Sequence, residues 1–145
     1  MKVLAIKSNG EETSISVILN DEINSFSMSH HRKDRPIWDI FLDNVGKNKT
    51  FILKDIDLFA FGDDLNSYTA TRSVASYMKG LAVALDKPLM SIEENFCKNF
   101  NIDSIAQIAK QRFVDSGYDK NKFDPRHANP KYEIDLKFKK LNEWL

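Results

Sequence analysis

Residues 56–92, "IDLFAFGDDLNSYTATRSVASYMKGLAVALDKPLMSI", constrain this chain more than any other stretch. "IDLFAFG" (56–62) reads as a buried strand ending at a glycine, and "PLMSI" (88–92) reads as a second strand. Between them a helix starts at a cap supplied by Asn66 or Ser67 and stops before Pro88. On that helix Val74, Met78, Leu81 and Leu85 recur at i, i+4, i+7 and i+11, one stripe for one sheet to cover. A second row, Ser73, Tyr77, Gly80 and Ala84, lies beside it, and Arg72 and Lys79 are left to the remaining face. That row is small apart from Tyr77, so a second helix backbone could come close to it. The second helix can belong to the same chain or to another one, and the pattern leaves both open.

The flanking sequence supplies the rest of a sheet. "KVLAI" (2–6), "TSISVIL" (13–19) and "NSFSM" (24–28) read as three strands, the second with Ile15, Val17 and Leu19 on one face. Asn20-Asp21 suits a tight turn, so the three form an antiparallel meander. "SHHRKDRPIWDIFLDNVGKN" (29–48) begins a helix, with Asp34 as N-cap, Pro36 in the first turn and Gly46 to close it. Its apolar face is wide: Ile37, Phe41 and Val45 in one stripe, Trp38 and Leu42 in the next. "IDSIAQIAKQRFVDSG" (102–117) is an amphipathic helix with Ile105, Ile108, Ala109 and Phe113 inward and Gly117 as its stop. The remainder is charged and broken by Pro125 and Pro130, until "IDLKFKKLNEWL" offers a strand or a short terminal helix. The order β-β-β-α-β-α-β-α predicts an α/β mixed five-stranded sheet with helices on its faces. That order is similar to the ribonuclease-H-like half-domain, the lobe of the actin and sugar-kinase superfamily.

Composition narrows the functions. The chain has 145 residues, the size of one domain, with 21 basic and 21 acidic side chains, so no global field favours nucleic acid or an anionic membrane. Cys97 stands alone, which excludes an internal disulfide and suits a reducing compartment. "MKVLAIKSNGEE" reads as neither signal peptide nor anchor, and "LAVAL" is too short for a bilayer. The expectation is a cytoplasmic globular domain without membrane contact.

Within this frame the motifs carry a resemblance. "VLAIKSN" stands where the TsaB (YeaZ) family has a strand of the type "ILAIDTA". "FGDDLNSYTATR" followed by "MKGLAVALDKPLMSI" is similar to that family's "YGxGPGSFTGxR" and its small-residue helix ending "KGLA". Gly62, Ser67, Thr69, Arg72, Gly80, Leu81 and Ala82 keep the pattern, and Tyr68 replaces a phenylalanine. Residues 1–96 thus resemble the N-terminal lobe of that family. The resemblance implies a non-catalytic partner of TsaD in bacterial synthesis of the tRNA modification N6-threonylcarbamoyladenosine. TsaE would be a further partner, a homodimer would form in isolation, and tRNA would be met only through the complex. The partner interface would comprise Ile37, Trp38, Phe41, Ser73, Tyr77, Gly80 and Ala84.

Departures from the pattern matter as much. Three signature glycines are replaced by Asp64, Asn66 and Ala70, and acidic side chains in such a loop repel an anion. Lys7 stands where the family has the first-strand aspartate, and a lysine cannot ligate a metal-nucleotide; it can pair with a phosphate or lie solvated at a strand end. Lys7, Ser8, Asn66, Ser67 and Thr69 are therefore expected to be a vestigial nucleotide loop, with no cofactor, no metal and no catalysis. "IAKQRFVDSG" and "NPKYEID" are similar to the family's closing helix and tail, yet follow almost directly after residue 100. The expectation is a TsaB-like lobe over 1–100 and a C-terminal helix and tail over 101–145 on the same lobe, with the second lobe lost.

Other chemistry is weaker. His30 and His31 are neighbours that point apart, with no third ligand at metal spacing. Cys97 has no adjacent base, and Asp57, Asp63 and Asp64 form an incomplete set for two-metal nuclease chemistry. "HHRK" and "KFKK" are separated by acids and read as solvated. The competing functions are a small nucleotide-binding enzyme of the same superfamily and a diverged dimeric interaction module.

Overall fold

The computed structural model describes residues 1–130 apart from 33, 35, 65–66 and 95–99. The terminal "IDLKFKKLNEWL", Cys97 and Asn66 lie outside the described residues. Five strands form one sheet: β1 (Lys2–Ser8), β2 (Glu12–Leu19), β3 (Glu22–Ser29), β4 (Leu58–Asp63) and β5 (Leu89–Glu93). Their order is β3-β2-β1-β4-β5. β1, β2 and β3 pair antiparallel, with Leu4 opposite Val17 and Ile15 opposite Phe26. β4 joins β1 in parallel, and β5 joins β4 in parallel. The mixed sheet follows from the chain's own punctuation: two tight turns first, then helical crossovers. Asn20 takes a positive φ of 61° at the β2–β3 turn, where the sequence places it.

Three helices cover the sheet: α1 (Trp38–Asn44), α2 (Tyr68–Leu85) and α3 (Ile102–Asp115). Because side chains alternate along a strand, each central strand feeds two cores. On one side Leu4, Ile6, Ile15, Val17, Phe59 and Phe61 meet α1 and α2. On the other, Val3, Ala5, Ile18, Leu58, Ala60 and Ile92 meet α3. The alternation in β2 suggests one apolar and one polar face, yet the whole run Thr13–Ile18 is buried. α3 explains this: Ser16 faces it and donates to Asp103 Oδ1 at 3.1 Å. Ser14 shares a 2.7 Å hydrogen bond with Ser27 instead.

Helix boundaries agree with the sequence except at α1. That helix starts at Trp38 after Ile37, with no side-chain cap, so Asp34 is not its N-cap. Pro36 precedes the helix instead of opening its first turn, and Ile37 is extended (φ −89°, ψ 98°). Gly46 (φ 103°) and Gly117 (φ 75°) sit just past the ends of α1 and α3 in the left-handed region that a side chain avoids. α3 is capped by Asn101, whose side chain accepts from the Ser104 N–H at 2.9 Å. Beyond it, short 3₁₀ turns (Lys120–Phe123 and Pro125–His127) return the chain beneath α2, where Ala128 joins the first core. No helix among the described residues is long and apolar enough to cross a membrane.

Candidate functional site

α2 buries only one of its two rows. Val74, Ala75, Met78 and Ala82 are sealed against the sheet. Ser73, Gly80 and Ala84 are exposed, and Tyr77 is half-buried between the two environments. The Tyr77 ring stacks on Trp38 of α1, centroids 4.7 Å apart and planes 11° from parallel. Burial, reinforced by the negative charge of Asp39, pushes the Tyr77 phenol up to about 12. Trp38 and Tyr77 thus weld α1 to α2, and the exposed row continues beside them.

A Cβ built on Gly80 meets nothing within 4 Å among the described residues. Val83, three residues further along α2, is 56% exposed, and Ile37, next to Trp38, is 61% exposed. Phe41, grouped with them in the sequence, belongs elsewhere. Its side chain is fully buried and meets Phe26 edge-on at 5.5 Å. A seven-residue helix turns Phe41 inward with Leu42, so Phe41 is part of the core and not of an exposed surface.

The residues read as a nucleotide loop divide between the two faces of the sheet. Lys7 lies on the α3 side, where its ammonium donates to the Phe100 carbonyl at 2.5 Å and sits 4.7 Å from the Phe100 ring centre. It is neither solvated nor aimed at the helix start, because it and Ser8 are consecutive strand residues that point oppositely. Ser8, Ser67 and Thr69 line a cavity of about 780 Å³ between the β1–β2 turn, the connection after β3 and the start of α2. Ser67 precedes α2, as one of the two sequence readings has it, but its hydroxyl donates to the Asn9 carbonyl at 3.2 Å and to Asp64 Oδ2 at 3.4 Å. Thr71 donates to the Asp64 carbonyl at 3.3 Å. The loop is therefore closed on its own chain through Asp64, where a glycine loop would leave N–H groups to a phosphate.

The same cavity is lined by residues that the sequence placed elsewhere, His30 and Arg32 in a solvated basic stretch and Arg72 on the remaining face of α2. His30, Arg32 and Arg72 reach it from two different elements. Arg72 rests against the Tyr68 ring at 5.3 Å and donates to its hydroxyl at 3.1 Å. His30 Nε2 lies 2.7 Å from Thr13 Oγ1, while the His31 side chain is exposed, so the two histidines do part. Only the β2–β3 register brings Thr13 beside His30, and no spacing in the sequence announces it.

No family model matches the chain, and no curated protein matches it in sequence. Solved structures do. YeaZ from Pseudomonas aeruginosa superposes with a TM-score of 0.59 at 19% identity, over 80% of this chain and 50% of its own. A second structure, of a protein with similarity to peptidase YEAZ from Pseudomonas aeruginosa, gives 0.55 at 21% identity, over 80% and 49%. The chain spans about half the length of these structures. The five-stranded sheet and its three helices are thus a YeaZ-like fold, in line with the resemblance carried by "FGDDLNSYTATR" and "KGLA".

Proposed function

We propose that this chain is a non-catalytic TsaB-like subunit, which binds and activates TsaD in N6-threonylcarbamoyladenosine modification of tRNA. The YeaZ-like fold supports the family, and one observation supports the mode of action. Gly80 stands in the middle of an 18-residue helix, where glycine costs about 1 kcal/mol relative to alanine. Among the described residues nothing comes close enough to need that space. A helix of another chain would use it, since a missing Cβ lets backbones pack closely. Ile37, Ser73, Val83 and Ala84 extend the same surface, and the Trp38–Tyr77 stack keeps α1 and α2 in fixed relation behind it.

The partner is TsaD in the complex, with TsaE joining it, and a second copy of this chain when TsaD is absent. No cofactor is required, and tRNA is met through the complex alone. The chain's own loop supports this division of labour, since Asp64 and Lys7 are both engaged within the chain. The test is co-purification with the same organism's TsaD, followed by a tRNA modification assay with and without this chain. Stimulated modification is expected; no association and no stimulation would refute the proposal.

A further inference from the structure

The turn that joins β1 to β2 holds the only Asn-Gly pair in the chain, Asn9-Gly10. An asparagine in this setting can close on itself. The next backbone nitrogen attacks the side-chain carbonyl carbon, a five-membered succinimide ring forms, and ammonia leaves. A side chain on the next residue hinders that approach, and Gly10 has none. Nucleophile and electrophile sit in one turn, so the step is intramolecular.

The surroundings of the reacting atoms favour ring closure. The electrophile is Asn9 Cγ, and its oxygen, Oδ1, accepts from the Glu11 N–H at 2.9 Å and the Glu12 N–H at 2.8 Å. Negative charge gathers on that oxygen during attack, so two fixed backbone donors stabilise it as an oxyanion hole does. The nucleophile is the Gly10 nitrogen, whose N–H donates to Ser8 Oγ at 3.2 Å. Ser8 is only 3% exposed and also accepts from the Thr13 hydroxyl at 2.9 Å, which holds its oxygen in place. Among the described residues the Asn9 side chain is held through Oδ1 alone, so nothing retains Nδ2 as the leaving group. Asn9 and Gly10 are half-buried at the rim of the cavity beside α2, within reach of water.

We propose that the β1–β2 turn is a self-modifying site at which the folded chain deamidates Asn9. The Gly10 nitrogen bonds to Asn9 Cγ, and its proton is drawn toward Ser8 Oγ and taken up by water. The Cγ–Nδ2 bond breaks, and Nδ2 gains a proton and departs as ammonia. Water then opens the ring at Cγ to give aspartate, or at the main-chain carbonyl to give isoaspartate. The sum is asparagine and water to a carboxylic acid and ammonia, with no other reactant. In isoaspartate the former main-chain carbonyl of residue 9 becomes a free carboxylate. Ser67, just before α2, donates to that carbonyl at 3.2 Å, and the same hydroxyl lies 3.4 Å from Asp64 Oδ2. A new carboxylate there repels Asp64 and loosens the start of α2. Ageing of the turn thus reaches the helix that bears the partner face, and only this last link rests on the partner reading.

The test ages the full chain at one neutral pH and temperature, folded or in concentrated urea, and follows residue 9 by peptide mass mapping. Unfolding disperses the Glu11 and Glu12 donors and the Ser8 acceptor, so the folded chain should deamidate Asn9 about tenfold faster. Isoaspartate should appear among the products, as ring opening requires. Asn9→Gln would need a six-membered ring and should stay unmodified over the same period. The isoaspartate form, separated by chromatography, should melt below the fresh chain. A folded chain that reacts no faster than the unfolded one, or a product that is aspartate alone, would overturn the inference. A parental melting temperature in the isoaspartate form would overturn the effect on α2. No readout here involves a partner, so failure at this site and failure of the partner reading are told apart.

Discussion

Gly62 ends the apolar part of β4 beneath α3, and adding one methyl group there measures how closely that helix is docked. A Cβ at this position would lie 2.7 Å from Ile105 Cδ1 and 3.2 Å from both Lys7 Cγ and Phe100 Cζ. Carbon atoms in comfortable contact are about 3.5–4.0 Å apart, so α3 or the Ile105 side chain must give by about an ångström. Ile105 is fully buried and cannot swing into solvent. Overpacking of this kind costs about 1–3 kcal/mol. The lower entropy of the unfolded alanine chain offsets about 0.4–1 kcal/mol of that. Gly62→Ala should therefore destabilise by about 1–2 kcal/mol, at about 2–4 °C of melting temperature per kcal/mol for a chain near this size. Ile105→Val removes the clashing Cδ1 and by itself costs about 0.5–1.5 kcal/mol. In the double variant the added Cβ gains room, so urea unfolding should show a favourable coupling of about 1 kcal/mol. Additivity to within about 0.3–0.5 kcal/mol, or a Gly62→Ala chain more stable than the parent, would refute this packing.

Three further outcomes are expected. Ending the chain at residue 100 uncovers Val3, Ala5, Leu58, Ala60 and Ile92, so the product should aggregate; a soluble fragment with unchanged melting temperature would contradict the role of α3 as a cover. The Tyr77 phenol is raised from 10.0 to about 12 in the folded chain, so the folded state holds its proton longer. Its contribution to stability is full below the unfolded value and is lost as pH rises toward 12; Tyr77→Phe should lessen that alkaline loss, and an identical loss in both chains would exclude Tyr77 as a source. Because Lys7 is held by Phe100 and a lysine cannot ligate a metal, the chain should neither hydrolyse ATP nor bind nucleotide in a magnesium-dependent way, which turnover assays and calorimetry with and without magnesium can check.

The fold was legible because each element announced itself locally. The stripe Val74–Met78–Leu81–Leu85 marked the covered side of α2, and the glycines at 46 and 117 marked where two helices stop. Misreadings arose where an outcome depends on partners distant in sequence. Asp34 satisfies every local rule for a cap, yet α1 begins four residues later, after an extended Ile37. Phe41 shares a wide apolar face with Ile37, and only the position of Phe26 on β3 shows which of them is buried. Lys7 and Ser8 are adjacent in the chain and therefore divided by the sheet, which strand periodicity alone could have revealed. The Thr13–His30 contact needs the β2–β3 register and had no sequence signal.

The most direct measurement of the central claim is TsaD binding by Gly80→Arg, with the melting temperature recorded on the same sample. An arginine at this exposed helix position meets no neighbour among the described residues, and loss of the glycine should raise helix stability by about 1 kcal/mol. In a helix–helix seam the same guanidinium would be buried without a partner, at a cost of several kcal/mol. The parent chain should thus bind TsaD, and the variant should melt no lower than the parent while losing both TsaD binding and self-association. A variant that is stable and still binds TsaD with parental affinity would contradict the assignment of this face.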